Sequence, residues 1–283
     1  MPADALALAL AAAALHAGWN AFLKVKLEPF LAMTLITGAG GLVGVPLLIA
    51  FGFPRLEAWP WLMASVVIHL GYYFALSEAY RRADMGQIYP IARGAAPLMT
   101  ATMTTLFVGE RLGLFGWGGI AMLAAGVLLL SLRGGRDLAR LDRVAVGFAL
   151  FTAVTICAYS VVDGLGARAA GPGKATAYST VLFVGIAPVV VAYALIRRGR
   201  AVFAQMAPFW ITGLAGGALA VISYSIAIWA MTVAPIAIVA ALRETSVLFG
   251  AVIAVVILKE PLRPARIVAA LMIVCGLMLL RVA

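Results

Sequence analysis

Two arginines lie well inside apolar stretches of this sequence, and they are the residues best suited to hold an ion. Arg93 lies in YPIARGAAPLMTATMTTLFVGE (89–110), and Arg243 lies in a similar run 150 residues later. Counted from the starts of the predicted spans at residues 86 and 235, each is seven or eight residues deep, or roughly 11–12 Å along a helix that rises 1.5 Å per residue. At the centre of a membrane helix an arginine costs about 2.5–3.5 kcal/mol on insertion scales, so it must pair or face water.

Two roles stay open for these arginines. A planar guanidinium binds a carboxylate through two parallel hydrogen bonds, so either residue could hold an anionic group of a substrate. Alternatively, the arginines could form internal ion pairs, for example with Glu244 or Asp163, or bind carbonyl groups at a broken helix. The residues alone do not decide between these roles.

Other polar and aromatic side chains recur at intervals of three or four residues inside the apolar runs, which places them on shared helix faces. Aromatic faces and an acid suit an ammonium group, and an arginine suits a carboxylate, so the set predicts a cavity for a small zwitterion. The candidate residues for this cavity are His16, Trp19, Asn20, His69, Tyr72, Tyr73, Tyr89, Arg93, Tyr159, Asp163, Tyr224, Arg243 and Glu244.

Several of these side chains have an alternative structural role. Aromatic stripes also serve helix packing, and a histidine that could transfer protons could equally be a buried, hydrogen-bonded core residue. Glu110 and Glu260 lie at the ends of apolar runs, where we expect helix capping or interfacial pairing. The glycine pairs Gly40/Gly44 and Gly213/Gly217 predict close helix packing.

Enzyme motifs are absent from the sequence: it contains no GxSxG, HExxH, P-loop or CxxC pattern. We therefore expect no enzyme activity, no cofactor and no metal. Without a nucleotide site, any transport would run on a gradient of substrate, protons or another ion.

The composition requires lipid as the solvent for much of the surface. Hydrophobic residues make up 65% of the chain and charged residues 11%, against roughly 25% charged residues in soluble domains. The net charge of +10 comes from short loops between apolar runs, as in proteins that contact anionic headgroups. No basic patch with interleaved aromatics is present, so we expect no nucleic-acid partner.

The apolar runs predict an all-α integral membrane protein with ten transmembrane helices, since about 20 residues cross roughly 30 Å of hydrocarbon. The longest polar stretch, 133–143, separates a first unit, 1–132, from a second unit, 144–283. The predicted spans are 3–23, 30–52, 59–80, 86–108, 114–132, 144–165, 175–196, 207–230, 235–257 and 263–282.

The two units resemble each other. A shift of 150 residues places Arg93 on Arg243 and Glu110 on Glu260, so the Arg-to-Glu spacing is the same in both units. Five helices per unit is an odd number, so the second unit enters the membrane in the opposite sense. This predicts two inverted repeats around a central cavity.

A family resemblance covers essentially the whole chain. The residues that carry it are HAGWNAFLK (16–24), ALSEAY (75–80), YPIARGAAPL (89–98), GERL (109–112), GIAMLAAGVLLL (119–130), IAIVAALRETS (236–246), KEPL (259–262) and MIVCGLMLL (272–280). In these segments the sequence resembles the EamA repeat of the drug/metabolite transporter (DMT) superfamily.

The resemblance implies a ten-helix, multi-pass carrier of the cell inner membrane that works by alternating access. It is similar to amino-acid exporters of the YddG type, which implies export of amino acids or similar small metabolites without ATP. A carrier of the same fold for a sugar, a nucleoside or purine, or an organic cation or drug is an alternative, and a membrane enzyme or scaffold is a third. The expected partners are a small-molecule substrate and the lipid bilayer, with a monomer as the working expectation.

The orientation in the membrane is an open question. Most Lys and Arg lie in the loops after the first, third, fifth, seventh and ninth spans, so the positive-inside rule places both termini outside the cytoplasm. The resemblance implies the reverse, with both termini in the cytoplasm.

Overall fold

The described chain is helical, with no strand in residues 3–22, 27–82, 85–131, 143–256, 259 and 264–283, which are the residues that the computed structural model describes. The positions of the helices agree with the predicted spans to about one helical turn. In these ranges the helices are α1 (Ala3–Phe22), α2 (Pro29–Phe51), α3 (Trp59–Arg82), α4 (Met85–Met103), α5 (Leu114–Ser131), α6 (Arg143–Ala169), α7 (Ala175–Arg198), α8 (Ala201–Met206), α9 (Trp210–Val233), α10 (Ile236–Arg243), α11 (Ser246–Val256) and α12 (Pro264–Val282).

Much of the surface of this bundle suits lipid. Large apolar side chains face outward, including Ile49, which is 82% exposed, and Leu106, which is 69% exposed. The chain is therefore a multi-pass membrane protein. Six segments of the described residues are long and apolar enough to cross a membrane: Pro29–Phe51, Leu56–Leu76, Arg143–Ala169, Ala175–Arg198, Ala201–Val233 and Pro264–Val282.

The predicted span 235–257 is divided into two helices, which differs from the continuous helix expected there. α10 ends at Arg243 and α11 begins at Ser246. The turn between them stays hydrogen-bonded, because Thr245 donates its amide at 3.1 Å and its hydroxyl at 2.6 Å to the carbonyl of Leu242. The break therefore leaves Arg243 and Glu244 at a helix end in the middle of the bundle.

Ion pairs connect the ends of helices at one end of the bundle, here called end B. Arg198 Nη2 lies 2.6 Å from Glu28 Oε1, and Arg197 Nη2 lies 3.4 Å from Glu78 Oε1. The start of α2 therefore meets the C-terminal ends of α3 and α7.

The opposite end, here called end A, is held by bonds between the first and second halves of the chain. Arg55 donates its amide to the carbonyl of Ala170 at 3.2 Å, and Lys174 donates Nζ to the carbonyl of Phe51 at 3.0 Å. These bonds join the C-terminal ends of α2 and α6 to the starts of α3 and α7. α2 and α3 thus run in opposite directions, and so do α6 and α7.

Glu110 connects the end of α4 to the second half at end A. Its Oε1 accepts the amide of Ile236 at 2.8 Å and its Oε2 accepts the amide of Ala237 at 3.3 Å, so the carboxylate caps the first turn of α10. Arg168 Nη2 lies 2.8 Å from the same carboxylate. The predicted capping and pairing role is confirmed for Glu110, whereas Glu260 lies outside the described residues.

Helices of the first half pack on helices of the second half at several places. α1 packs on α9, and α6 packs on α3. α4 packs on α6, and α10 and α11 pack on α1. α2 packs on α7, and α5 packs on α12.

Glycines permit close backbone approach where α9 crosses α2 and where α5 crosses α12. A Cβ on Gly217 of α9 would lie 2.6 Å from the amide nitrogen of Gly40 in α2, and a Cβ on Gly119 of α5 would lie 2.9 Å from the carbonyl oxygen of Gly276 in α12. No larger side chain fits without separating the backbones, which confirms the packing role predicted for the glycine pairs.

Candidate functional site

A polar cavity lies between the halves of the bundle. Its volume is about 110 Å³, several times the roughly 10–15 Å³ that one water requires. Helices α1, α2, α3, α4, α6, α7, α9 and α10 contribute its walls. The lining residues are His16, Trp19, Asn20, Met33, Ile36, Thr37, His69, Tyr72, Tyr73, Arg93, Tyr159, Leu182, Phe183, Ile186, Ala220, Tyr224 and Arg243.

Most of the residues predicted from the sequence to form a cavity are brought together here. Asp163 and Glu244 are exceptions, because they are buried behind the lining side chains. Tyr89 lies in α4, but its side chain is outside the part of the structure that is described. The predicted residues that line the cavity are His16, Trp19, Asn20, His69, Tyr72, Tyr73, Arg93, Tyr159, Tyr224 and Arg243.

Arg93 projects from α4 into a cluster of polar groups at the break between α10 and α11. Its Nε lies 2.7 Å from Glu244 Oε2 in a buried ion pair. Its Nη2 lies 3.2 Å from His16 Nε2 and donates to Ser246 Oγ at 3.3 Å. The internal ion pair that the sequence left open is therefore formed by Arg93 with Glu244.

His16 faces two groups that can only donate. Trp19 donates Nε1 to His16 Nδ1 at 3.1 Å, and Arg93 Nη2 approaches His16 Nε2. A neutral imidazole accepts at one nitrogen and donates at the other. The two contacts of His16 therefore compete, which ties the ring's tautomer to the position of Arg93.

Arg243 has a different environment from Arg93. Its guanidinium carbon lies 4.8 Å from the centre of the Tyr224 ring, a cation–π contact. The residue is only 6% exposed, and it lines the cavity. Among the described residues, neither a hydrogen bond nor an ion pair reaches this guanidinium.

Asp163 is fully buried and bonded to tyrosines rather than to an arginine. Tyr178 donates its hydroxyl to Asp163 Oδ1 at 2.9 Å, and Tyr224 donates its hydroxyl to Oδ2. Tyr224 thus connects Asp163 to the face on which Arg243 rests. Both oxygens of the carboxylate are occupied without a substrate.

Aromatic rings form one wall of the cavity. His69 stacks on Tyr159 with ring centres 4.4 Å apart, and Tyr72 meets both Tyr159 and Tyr73 edge to face. The hydroxyl oxygens of Tyr73 and Thr37 are 2.6 Å apart. His69 Nδ1 lies 2.9 Å from the carbonyl oxygen of Ser65, one turn earlier in the same helix. This is the arrangement of a hydrogen-bonded core histidine.

Some residues of the site were missed by the sequence reasoning. Thr37 and Ser246 are polar residues within apolar runs, and that signal could have identified them. Tyr178, the second tyrosine that donates to Asp163, was also missed. Its role depends on the packing of α7 on α6, which the sequence does not indicate. The apolar lining residues carry no signal that separates them from other residues of the same helices.

Metal ligation finds no support in the described part of the chain, where no group of three or more His, Cys, Asp and Glu side chains could hold an ion. Cys157 and Cys275 are free thiols.

Comparison with known proteins supports a transporter. A sequence comparison with curated proteins finds no match. One solved crystal structure of a protein is similar over 99% of both chains, with a TM-score of 0.78 and 20% sequence identity. At that identity the likeness concerns the fold alone. Residues 4–132 match the model of the EamA-like transporter family, which indicates a membrane transporter of small molecules. The segment 4–132 is therefore a domain of the EamA-like transporter family, within the DMT superfamily.

Proposed function

We propose that this protein is a secondary transporter that exports amino acids or similar small metabolites across the cell inner membrane by alternating access. The observation that carries the proposal is the cavity between the two halves, which Arg93 of α4 and Arg243 of α10 both line. A guanidinium inside an apolar bundle suits the carboxylate of a small solute. The apolar and aromatic walls suit its side chain.

Alternating access requires two units that can move against each other, and we infer ten membrane segments in two inverted repeats. The segments are α1 to α7, α9, the α10–α11 pair and α12. Three observations support this arrangement. The interhelical pairs repeat when the halves are exchanged, α2 and its counterpart α7 finish at opposite ends of the bundle, and equivalent turn residues Gly109 and Lys259 share left-handed φ angles of 76° and 54°.

An organic cation is the alternative cargo that the charges disfavour. The charged side chains among the described lining residues are two arginines, so a cation would enter against like charge. The same arginines attract an anion. A carboxylate-bearing solute therefore fits the cavity better than a cationic drug.

Counterflow in proteoliposomes tests the cargo. We expect vesicles that contain the purified protein and an unlabelled amino acid to accumulate the labelled form, without ATP. The twenty amino acids are compared with a sugar, a nucleoside and an organic cation. Exchange of the cation with no exchange of any amino acid would contradict the proposal.

Variants connect the exchange to the cavity. Arg93→Ala and Arg243→Ala should each reduce exchange, whereas Arg198→Ala, which changes an exposed arginine at end B, should leave it within about twofold. Melting temperatures of the variants in detergent separate a loss of folding from a selective loss of transport. Arg243→Ala decides the binding role, because Arg93→Ala also leaves the buried Glu244 without its ion-pair partner. Undiminished exchange by a folded Arg243→Ala protein would contradict that role.

A further inference from the structure

Of the two cavity arginines, only Arg93 forms an ion pair with an acid among the described residues. Arg93 contacts Glu244 at 2.7 Å, and both side chains are buried. Arg243 rests on the Tyr224 ring, and no acid among the described residues pairs with it. A buried cation that lacks a counter-charge is costly unless an anion or water compensates it. Arg243 is therefore the cavity arginine whose guanidinium is available to a ligand.

The acids near the cavity already have partners. Glu244 holds Arg93, and both oxygens of Asp163 accept hydroxyl groups, from Tyr178 and from Tyr224. The described lining residues include two arginines and two histidines but no carboxylate. Glu244 therefore balances Arg93, whereas Asp163 lies behind the Tyr224 ring and makes no ion pair with Arg243.

An amino group on the cargo would find no acid in this lining. Its available neighbours are the aromatic wall of His69, Tyr72, Tyr73 and Tyr159 and the amide of Asn20. Aromatic faces attract an ammonium through the ring quadrupole, without the full opposite charge that an arginine offers a carboxylate. These faces therefore accommodate an ammonium without requiring one. Repulsion from Arg243 opposes an ammonium that has no carboxylate beside it.

We propose that Arg243 anchors the cargo through its carboxylate and that the carboxylate is required while the amino group is dispensable. This inference rests on the proposed function and deepens it. The substrate class becomes small apolar monocarboxylates, of which amino acids are one subset and the corresponding deaminated acids another. Simple amines of the same size are excluded.

Three ligands with the same branched side chain test the inference on the unmodified protein. Leucine carries both groups, 4-methylpentanoate lacks the amino group, and 3-methylbutylamine lacks the carboxylate. Purified protein in detergent is heated with increasing concentrations of each ligand. A ligand that binds only the folded state raises the melting temperature, and at a given concentration a tighter ligand raises it further. We expect the two carboxylates to agree in Kd within about threefold, and the amine to bind about tenfold more weakly or worse.

The contrary results are equally distinct. A shift from the amine that equals or exceeds the shift from 4-methylpentanoate overturns the inference, and so does the absence of a shift from both carboxylates. Binding of 4-methylpentanoate without exchange of any amino acid would leave the inference standing and refute the amino-acid cargo. Failure of the inference and failure of the proposed function are thereby distinguished.

Arg243→Gln assigns the effect to one side chain. Glutamine keeps hydrogen-bond donors but removes the charge, so both carboxylates should bind about tenfold more weakly, with the amine unchanged or improved. Arg198→Gln, at the exposed end B, is the matched control and should bind all three ligands as the unmodified protein does. Undiminished carboxylate binding by a folded Arg243→Gln protein would overturn the assignment, and the ligand series decides alone if that variant does not fold.

Discussion

At the residue scale, the buried pair of Arg93 and Glu244 is the contact whose loss we expect to cost the most. Its side chains are 7% and 4% exposed, and removing one partner of such a pair costs about 3–5 kcal/mol because a buried charge is left alone. Glu244→Leu should therefore lower the melting temperature sharply. The double variant Arg93→Leu/Glu244→Leu should recover much of the loss, since neither charge of the pair remains.

The exposed pair of Arg198 and Glu28 provides the control for that comparison. Its side chains are 48% and 41% exposed, so Glu28→Leu should change the unfolding free energy by about 1 kcal/mol or less. A double variant no more stable than Glu244→Leu would show that the pair stabilises the fold by something other than charge compensation.

Single residues could be assigned to the cavity from the sequence because charged and aromatic side chains are costly in apolar helices. Their partners could not be assigned in the same way. Arg93 could have paired with Asp163 as well as with Glu244, and the choice depends on where the break between α10 and α11 places Glu244. Asp163 instead accepts hydroxyl groups from tyrosines on two other helices, which no spacing in the sequence indicates.

At the scale of elements, the capping of α10 by Glu110 leads to a graded prediction. Glu110→Gln removes the attraction to Arg168 and to the positive end of the helix dipole but keeps an acceptor for the amides of Ile236 and Ala237. Glu110→Ala removes both. We expect losses of unfolding free energy of about 1 kcal/mol for glutamine and about 2 kcal/mol for alanine, measured by denaturation in detergent. Equal stability of both variants and the parent would exclude a capping role.

Helix crossings give a second prediction at this scale. Gly217→Ala places a Cβ against the backbone of α2, so α9 must move away from α2 and stability should fall by about 1–3 kcal/mol. Gly250→Ala in α11 is the matched control, because a Cβ there meets no atom within 4 Å. The control should be neutral or stabilising by up to about 1 kcal/mol, as alanine favours helix more than glycine. Equal effects at both sites would contradict the close crossing.

Helix bounds were predictable because membrane thickness sets the length of an apolar run. The break inside 235–257 was not, although the run contains Arg243, Glu244 and Thr245 in succession. A continuous helix could have carried those three residues, as α4 carries Arg93. At the break, the amide and the hydroxyl of Thr245 both donate to the carbonyl of Leu242, so the interrupted turn stays hydrogen-bonded.

At the scale of the whole molecule, the arrangement of end A predicts which contacts must open during transport. The loops after α2 and α6 belong to different halves, and the amide of Arg55 donates to the carbonyl of Ala170 between them. A backbone hydrogen bond of this length brings the two Cα atoms near the roughly 4.4–6.8 Å separation that a disulfide spans. Arg55→Cys/Ala170→Cys should therefore form a cross-link between the two halves.

If the halves separate at end A in every cycle, oxidation of this double variant should abolish counterflow and reduction should restore it. The parent for this experiment has Cys157 and Cys275 replaced by Ala, and each single-cysteine variant should transport equally under both conditions. Because the cross-link joins residues outside the cavity, ligand-induced shifts in melting temperature should persist while exchange stops. Full exchange by completely cross-linked protein would mean that end A stays closed and that the solute leaves by another route.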